Sequence, residues 1–284
     1  MGNAASTKKI PTVPTVPLSV TNPNARPHGL KYSRNEIFLI VNEQINLLAN
    51  SNGEVIDSNL TGKFMVTTKL SGVPTVKISL SLPKKDFYDV HFHQCVYANN
   101  LDEHNKTLLF NPPDGKFELL SYSMPTVKKM PILIDSLINK KNNSITYTII
   151  LRENNNINNF TINDLEIIIP VPSDSSLIKQ TLNLGTVTHQ AETSSVVWTI
   201  EKLSKKYNSQ LDFEMAIPIL KNPLIDDYEK KPITVKFNID FLTNSGLKVN
   251  FVKVSDKFDK NYSATSWIKY RLQNGDYFFT PFDI

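Results

Sequence analysis

The chain has 284 residues, 40% of them apolar and 20% charged, with a formal net charge of +4. That length supports one large or two medium domains with a sizeable core. The absence of any run of about 18 apolar residues excludes a membrane-spanning helix, and the single cysteine, Cys95, excludes an internal disulfide and suits the cytosol.

Residues 1–31 read as a disordered Pro-rich tail. Pro11-Thr12-Val13-Pro14-Thr15-Val16-Pro17 repeats a Pro-Thr-Val unit that favours an extended spacer. Met1-Gly2-Asn3-Ala4-Ala5-Ser6 fits the N-myristoylation pattern, but so short a motif matches often by chance, and an ordinary tail is the expected reading. Asn35–Leu48 carries mixed signals. Its later apolar spacing fits a helix, but Ile, Phe and Val dominate its first half and predict a strand. Ser51-Asn52-Gly53 predicts a turn with φ > 0 at its end. Strands follow at Lys63–Thr68 and Lys77–Leu82, split by the Ser71-Gly72 turn. Pro83-Lys84-Lys85-Asp86 makes a short loop.

The most informative run comes next. His93–Val96 reads as a strand, and Thr107–Phe110 and Lys116–Tyr122 as two more. Between the last two, Asn111-Pro112-Pro113-Asp114-Gly115 is dense turn chemistry: Pro presets φ, Asp can bond its own backbone, and Gly supplies φ > 0. A hairpin with a longer loop is expected. Further strands are predicted at Ser144–Arg152, Asp164–Val171, Ser195–Leu203 and Gln210–Leu220. A last set is Ile233–Leu242, Leu247–Val254, Ser266–Leu272 and Asp276–Thr280. Many short strands, few helix signals and 17 prolines give an all-β sandwich class.

Nothing in the residues argues for catalysis. There is no Gly-x-Ser-x-Gly elbow and no phosphate-cradling Gly-rich loop, and 9 glycines are too few for loops that wrap a cofactor. His91 and His93 should share one strand face, but a structural metal site wants four ligands and none lies nearby. The expectation is a non-enzymatic chain with no cofactor and no metal. The aromatics fit a strand core, not a stacking stripe, so no nucleic acid is expected. Lysine pairs recur, Lys128-Lys129 and Lys140-Lys141 among them. They suit an anionic lipid surface, or solvated edges that block strand pairing.

Six blocks carry a family resemblance besides "FHQCV" (92–96) and "PPDGKFELLSY" (112–122). They are "RNEIFLIVNEQINLLANSNGEV" (34–55), "LSGVPTVKISL" (70–80), "LEIIIPVPSD" (165–174), "SSVVWTIEKL" (194–203), "SGLKVNFVKV" (245–254) and "WIKYRLQNGDY" (267–277). In this order they resemble the mu homology domain of clathrin adaptor medium subunits. The resemblance implies an elongated, curved β-sandwich over 33–284, with one subdomain (about 33–125 and 233–284) interrupted by another (about 126–232). It implies a cargo-binding role in vesicle-mediated transport. The implied partners are the large and small adaptor subunits, cytosolic tails of membrane cargo and an anionic phosphoinositide membrane. The implied location is cytoplasmic, peripheral on clathrin-coated or endosomal and Golgi membranes. Whole medium subunits carry an amino-terminal longin-like domain, so a fragment is expected.

The same resemblance implies a groove in which a Tyr-x-x-Φ peptide (Φ, a bulky apolar residue) lies extended against two edge strands. Phe38 matches the aromatic packed on the cargo ring, and Trp267 the indole closing that pocket. Ile37, Leu39, Val249, Val252 and Ile268 match the apolar lining. The polar end departs from the family pattern. Ile40 stands where the family has an Asp that accepts the tyrosine hydroxyl, Thr67 where it has a Lys, and Lys269 where it has an Arg.

Overall fold

The structure is a computed structural model that describes residue 26 and residues 29–81, 88–97, 107–125, 130–141, 143–153, 160–204, 209–217 and 231–280. The Pro-rich repeat, the Met1–Ser6 pattern, the loop at Pro83 and the pair Lys128-Lys129 lie outside the described residues. The described chain is all-β, with no helix.

The strands are β1 (Glu36–Ala49), β2 (Val55–Lys69), β3 (Pro74–Ser81), β4 (Tyr88–Phe92), β5 (Thr107–Phe110) and β6 (Gly115–Met124). Then come β7 (Ile132–Lys140), β8 (Ser144–Glu153), β9 (Thr161–Pro170), β10 (Ser176–Leu182) and β11 (Thr186–Gln190). The last are β12 (Ser195–Ser204), β13 (Ser209–Ala216), β14 (Ile233–Asp240), β15 (Lys248–Asp256) and β16 (Thr265–Phe279). They form three sheets, ordered β11-β12-β9-β14-β16-β1-β2-β6-β4, β10-β13-β8-β7 and β15-β3-β5.

Two compact units result. The first holds the described residues of Met1–Val41, Gly62–Ser123 and Gly246–Ile268; the second holds those of Asn42–Thr61, Met124–Ser245 and Lys269–Ile284. The core of the first includes Ile37, Leu39, Phe64, Val66, Val76, Ile78 and Phe110. The core of the second includes Trp198, Tyr147, Phe237, Tyr277 and Phe279. Tyr147 stacks on Phe213 with ring centres 4.5 Å apart. Tyr277 donates its buried hydroxyl to Ile132 C=O at 2.6 Å, which satisfies the one polar atom that burial would otherwise strand.

Strict alternation decides β1. Ile37, Leu39, Val41, Ile45, Leu47 and Ala49 are all buried, with half-exposed residues between them. Period two admits only a strand, which removes the helical alternative. The following turn is built from its residues: Asn50 Oδ1 accepts the N–H groups of Asn52 and Glu54, and Gly53 takes φ +76.

Three readings need correction. Thr107–Phe110 and Lys116–Tyr122 do not form a hairpin. β5 pairs with β3, whereas β6 joins the nine-stranded sheet. The Pro112-Pro113 turn carries the chain from one sheet to another. It is held by partners distant in sequence, the Thr68 hydroxyl on Pro113 C=O at 2.7 Å and Arg26 on Pro112 C=O at 3.4 Å. His93–Val96 is a turn, closed by Val96 N–H on His93 C=O at 3.0 Å; the strand is Tyr88–Phe92, just before it. Ser266–Leu272 and Asp276–Thr280 are one strand, β16. A Cβ on Gly275 inside it would stand 2.0 Å from Asn46 Oδ1, so close approach explains the glycine. Strands β7, β10 and β11 had no prediction; the sequences of β10 and β11, such as Ser176-Leu177-Ile178-Lys179-Gln180, are too polar to alternate cleanly.

Gly62 makes a further point. A Cβ there would lie 2.1 Å from the Tyr122 ring. Gly62→Ala should therefore cost about 1–3 kcal/mol, the usual range for overpacking. The penalty, read by urea unfolding, should shrink in a Tyr122→Ala background; equal penalties in both would contradict the contact.

Candidate peptide groove

The candidate site is built on β1, β15 and the start of β16. On β1, alternation puts Phe38 and Ile40 on the half-exposed face. Ile37 and Leu39 are 0% and 1% exposed on the opposite face. They are core residues, not groove lining, since neighbours on one strand cannot share a face. Thr67 sits half-exposed on β2; its neighbour Thr68 is buried.

β16 neighbours β1 in the sheet. Thr265 N–H donates to Asn35 C=O at 2.9 Å, joining the two strand starts. Phe38 and Trp267 lie within three residues of that bond, on neighbouring strands. β14 pairs with β16 only from Arg271 onward, opposite Asp240. Before that point the burial alternation of β16 lapses, and Thr265 to Ile268 are all exposed. Trp267 is 56% and Ile268 38% exposed. Consecutive residues point to opposite faces, so both faces of β16 are open here.

Among the described residues β15 lies at the end of its sheet, against β3. Val249 and Val252 are half-exposed and stand opposite the buried Leu80 and Ile78. A register shift between Val249 and Phe251 marks a bulge at Asn250.

Lys269 has a partner that the sequence did not disclose. Lys269 Nζ lies 3.3 Å from Asp240 Oδ1, and Arg271 Nε lies 3.7 Å from the same oxygen. Lys269 is thus already engaged by a carboxylate. No sequence signal links residues 240 and 269; only the β14–β16 ladder brings them together.

The two histidines part company. His91 is exposed and pairs through Nε2 with Asp89 Oδ1 at 3.0 Å. His93 opens the turn and packs on Phe117 with ring centres 5.1 Å apart. Among the described residues, no three His, Cys, Asp or Glu side chains converge as a metal site would require. Of the lipid candidates, Lys140 and Lys141 are exposed at the β7–β8 hairpin, where Lys141 N–H bonds Ser144 C=O; Lys128 and Lys129 lie outside the described residues. No helix among the described residues is long and apolar enough to cross a membrane.

The fold seen in solved structures agrees with this architecture. The yeast delta-COP-I mu-homology domain superposes with a TM-score of 0.63 over 88% of this chain and 100% of that one, at 14% identity. The Danio rerio Fcho1 mu homology domain with a bound Eps15 peptide gives 0.61 over 88% of this chain and 98% of that one, also at 14%. The fold is therefore that of a mu homology domain. Sequence carries the assignment further. The profile of the adaptor complexes medium subunit family matches residues 23–280. The AP-1 complex subunit mu-1-I of Caenorhabditis elegans is 35% identical over 283 residues, covering 95% of this chain and 66% of that protein. The chain belongs to the adaptor complexes medium subunit family, and spans just under two thirds of the length of this relative.

The cysteine of this region is chemically quiet. Burial pushes the Cys95 thiol up to about 12, so the thiolate is scarce at neutral pH. Iodoacetamide at pH 8 should modify Cys95 at least about tenfold more slowly than an unhindered cysteine, and unfolding in urea should abolish the difference. Rapid alkylation of the folded chain would contradict this placement.

Proposed function

We propose that the chain is the cargo-binding part of an adaptor medium subunit, a non-enzymatic module that takes sorting peptides as an added strand. The start of β16 carries this reading. An extended peptide needs an open backbone edge and apolar pockets for alternate side chains. The exposed Trp267 and Ile268, with Phe38 and Ile40 on the neighbouring strand, offer that combination. The relatives agree with it: medium subunits of AP-1 are similar along nearly the whole chain, and the Fcho1 domain of the same fold holds a peptide. The partners are then the large and small adaptor subunits, cargo tails and an anionic phosphoinositide membrane. The place of action is the cytoplasmic face of clathrin-coated, endosomal or Golgi membranes, in protein sorting that includes endocytosis.

The groove chemistry differs from a tyrosine-selective site. Packing a ring between aromatics adds about 0.5–1.5 kcal/mol beyond burial. Burying its hydroxyl without a partner costs about 1–3 kcal/mol. Ile40 supplies no acceptor, and Lys269 is engaged by Asp240. The ring gain is common to tyrosine and phenylalanine, so an unpaired hydroxyl brings no advantage. A second reading follows from the same residues: a structural or regulatory module of this fold that takes no sorting signal in this groove.

Calorimetric titration separates these readings. A Tyr-x-x-Φ peptide should bind no better than its Phe-x-x-Φ counterpart. Replacing Ile40 by Asp and Thr67 by Lys should restore a tyrosine preference, about tenfold for each 1.4 kcal/mol regained. Binding of neither peptide to either protein would favour the second reading. A strong tyrosine preference in the unmodified chain would overturn the role given to Ile40.

A further inference from the structure

The outer face of the β15-β3-β5 sheet has no part in the groove described above. On β15, Val249, Val252 and Val254 stand opposite Leu80, Ile78 and Val76, which are 5%, 0% and 0% exposed. That is the core side. On the other side Lys248 stands opposite Ser81, Phe251 opposite Ser79, Lys253 opposite Lys77 and Ser255 opposite Thr75. Lys77 in turn faces Leu109 across β5. The bulge at Asn250 shapes this face. Lys248 and Phe251 are three residues apart and would point to opposite sides of a regular strand; the extra residue returns both to the outside.

The charge of the face is one-sided. Lys77, Lys248 and Lys253 are all exposed, Phe251 is 46% exposed, and none of the residues just named is acidic. Like charges directly opposite one another across an antiparallel pair are unfavourable, and Lys77 and Lys253 stand in that relation. Neither forms an ion pair among the described residues. A counter-charge from outside the chain would relieve the pair.

We propose that this face reads acidic residues in a peptide seated on the terminal strand β15. The proposal rests on the peptide-groove reading and names the class of peptide. An added strand points alternate side chains to its two faces. Those on the core side meet Val249 and Val252, half-exposed at the sheet edge. Those between them come out beside Lys248, Phe251, Lys253 and Lys77. Glu or Asp at these alternate positions supplies the missing charge, and Phe251 gives their methylenes an apolar support. A terminal strand with a two-faced pattern calls for an extended peptide with a matching alternation; a lipid surface has no such period.

Fluorescence anisotropy with labelled peptides tests this. One peptide carries a Phe-Gln-Gln-Leu core with Gln flanks. Two others place Glu at one or the other alternate set of flanking positions. One acidic peptide should bind about threefold to fivefold tighter than the Gln peptide at low salt, the scale of exposed ion pairs. The other should gain less. The advantage should vanish in about 0.5 M NaCl and invert in a Lys77→Glu, Lys253→Glu double variant, whose melting should match the parent because both side chains are exposed. Equal affinity for all three peptides overturns the proposal and leaves the groove reading standing. Binding of none overturns both. If the double variant loses phosphatidylserine vesicles but keeps the Glu preference, the lysines serve a membrane and the peptide proposal falls.

Discussion

A carboxylate with no access to water governs where the edge strand of the site begins. Glu43, 0% exposed on β1, accepts the Ser245 hydroxyl on one oxygen and the N–H groups of Asn244 and Ser245 on the other, at 2.5 and 3.1 Å. A buried carboxyl group is tolerable only when hydrogen bonds replace the water it has lost. Here those bonds come from the corner between β14 and β15. The chain leaves that corner through Gly246, at φ +78, where a residue with a side chain would be strained. Ser245 and Gly246 lead directly into Leu247 and β15, so these bonds hold the chain just before that strand.

The same corner stores strain. Phe241, the residue after β14, has φ +64 and is 82% exposed, with its N–H held by Tyr270 C=O at 2.9 Å. A bulky residue in the left-handed region costs on the order of 1–3 kcal/mol. The backbone bond to Tyr270 and the Glu43 network hold it there. Immediately before it, Asp240 turns Lys269 and Arg271 toward one carboxylate. Exposed pairs of this kind add little to stability.

A second clasp holds the entry to the first unit. Arg26, with a side chain 9% exposed, donates to Gly72 C=O at 2.9 Å and Pro112 C=O at 3.4 Å. Tyr32 donates to Asp114 Oδ2 at 2.7 Å, which raises the pKa of its own hydroxyl. Asp114 thus serves the segment leading into β1, not only the turn in which it lies. The Pro-Pro-Asp-Gly run is therefore a junction between distant parts of the chain, which explains why local hairpin rules misjudge it.

Local chemistry alone made the all-β class legible: the alternation of β1, the Gly53 turn, and the placement of most strands. The family resemblance supplied Phe38, Trp267 and Ile268, and tertiary structure then left them accessible. Period two could have separated Ile37 and Leu39 from Phe38 at the outset, since it assigns faces without any knowledge of partners. What sequence could not disclose were contacts between residues far apart in the chain. Asp240 meets Lys269, Glu43 meets Ser245, Lys77 meets Lys253, and Gly275 makes room for Asn46. The destinations of β5 and β6 belong to the same class. Side-chain periodicity states which face a residue takes, but strand order and register are set by closing the sheets around a core. The partner of Lys269 and the meeting of lysines on the outer face of the β15-β3-β5 sheet were therefore decided only in the folded chain.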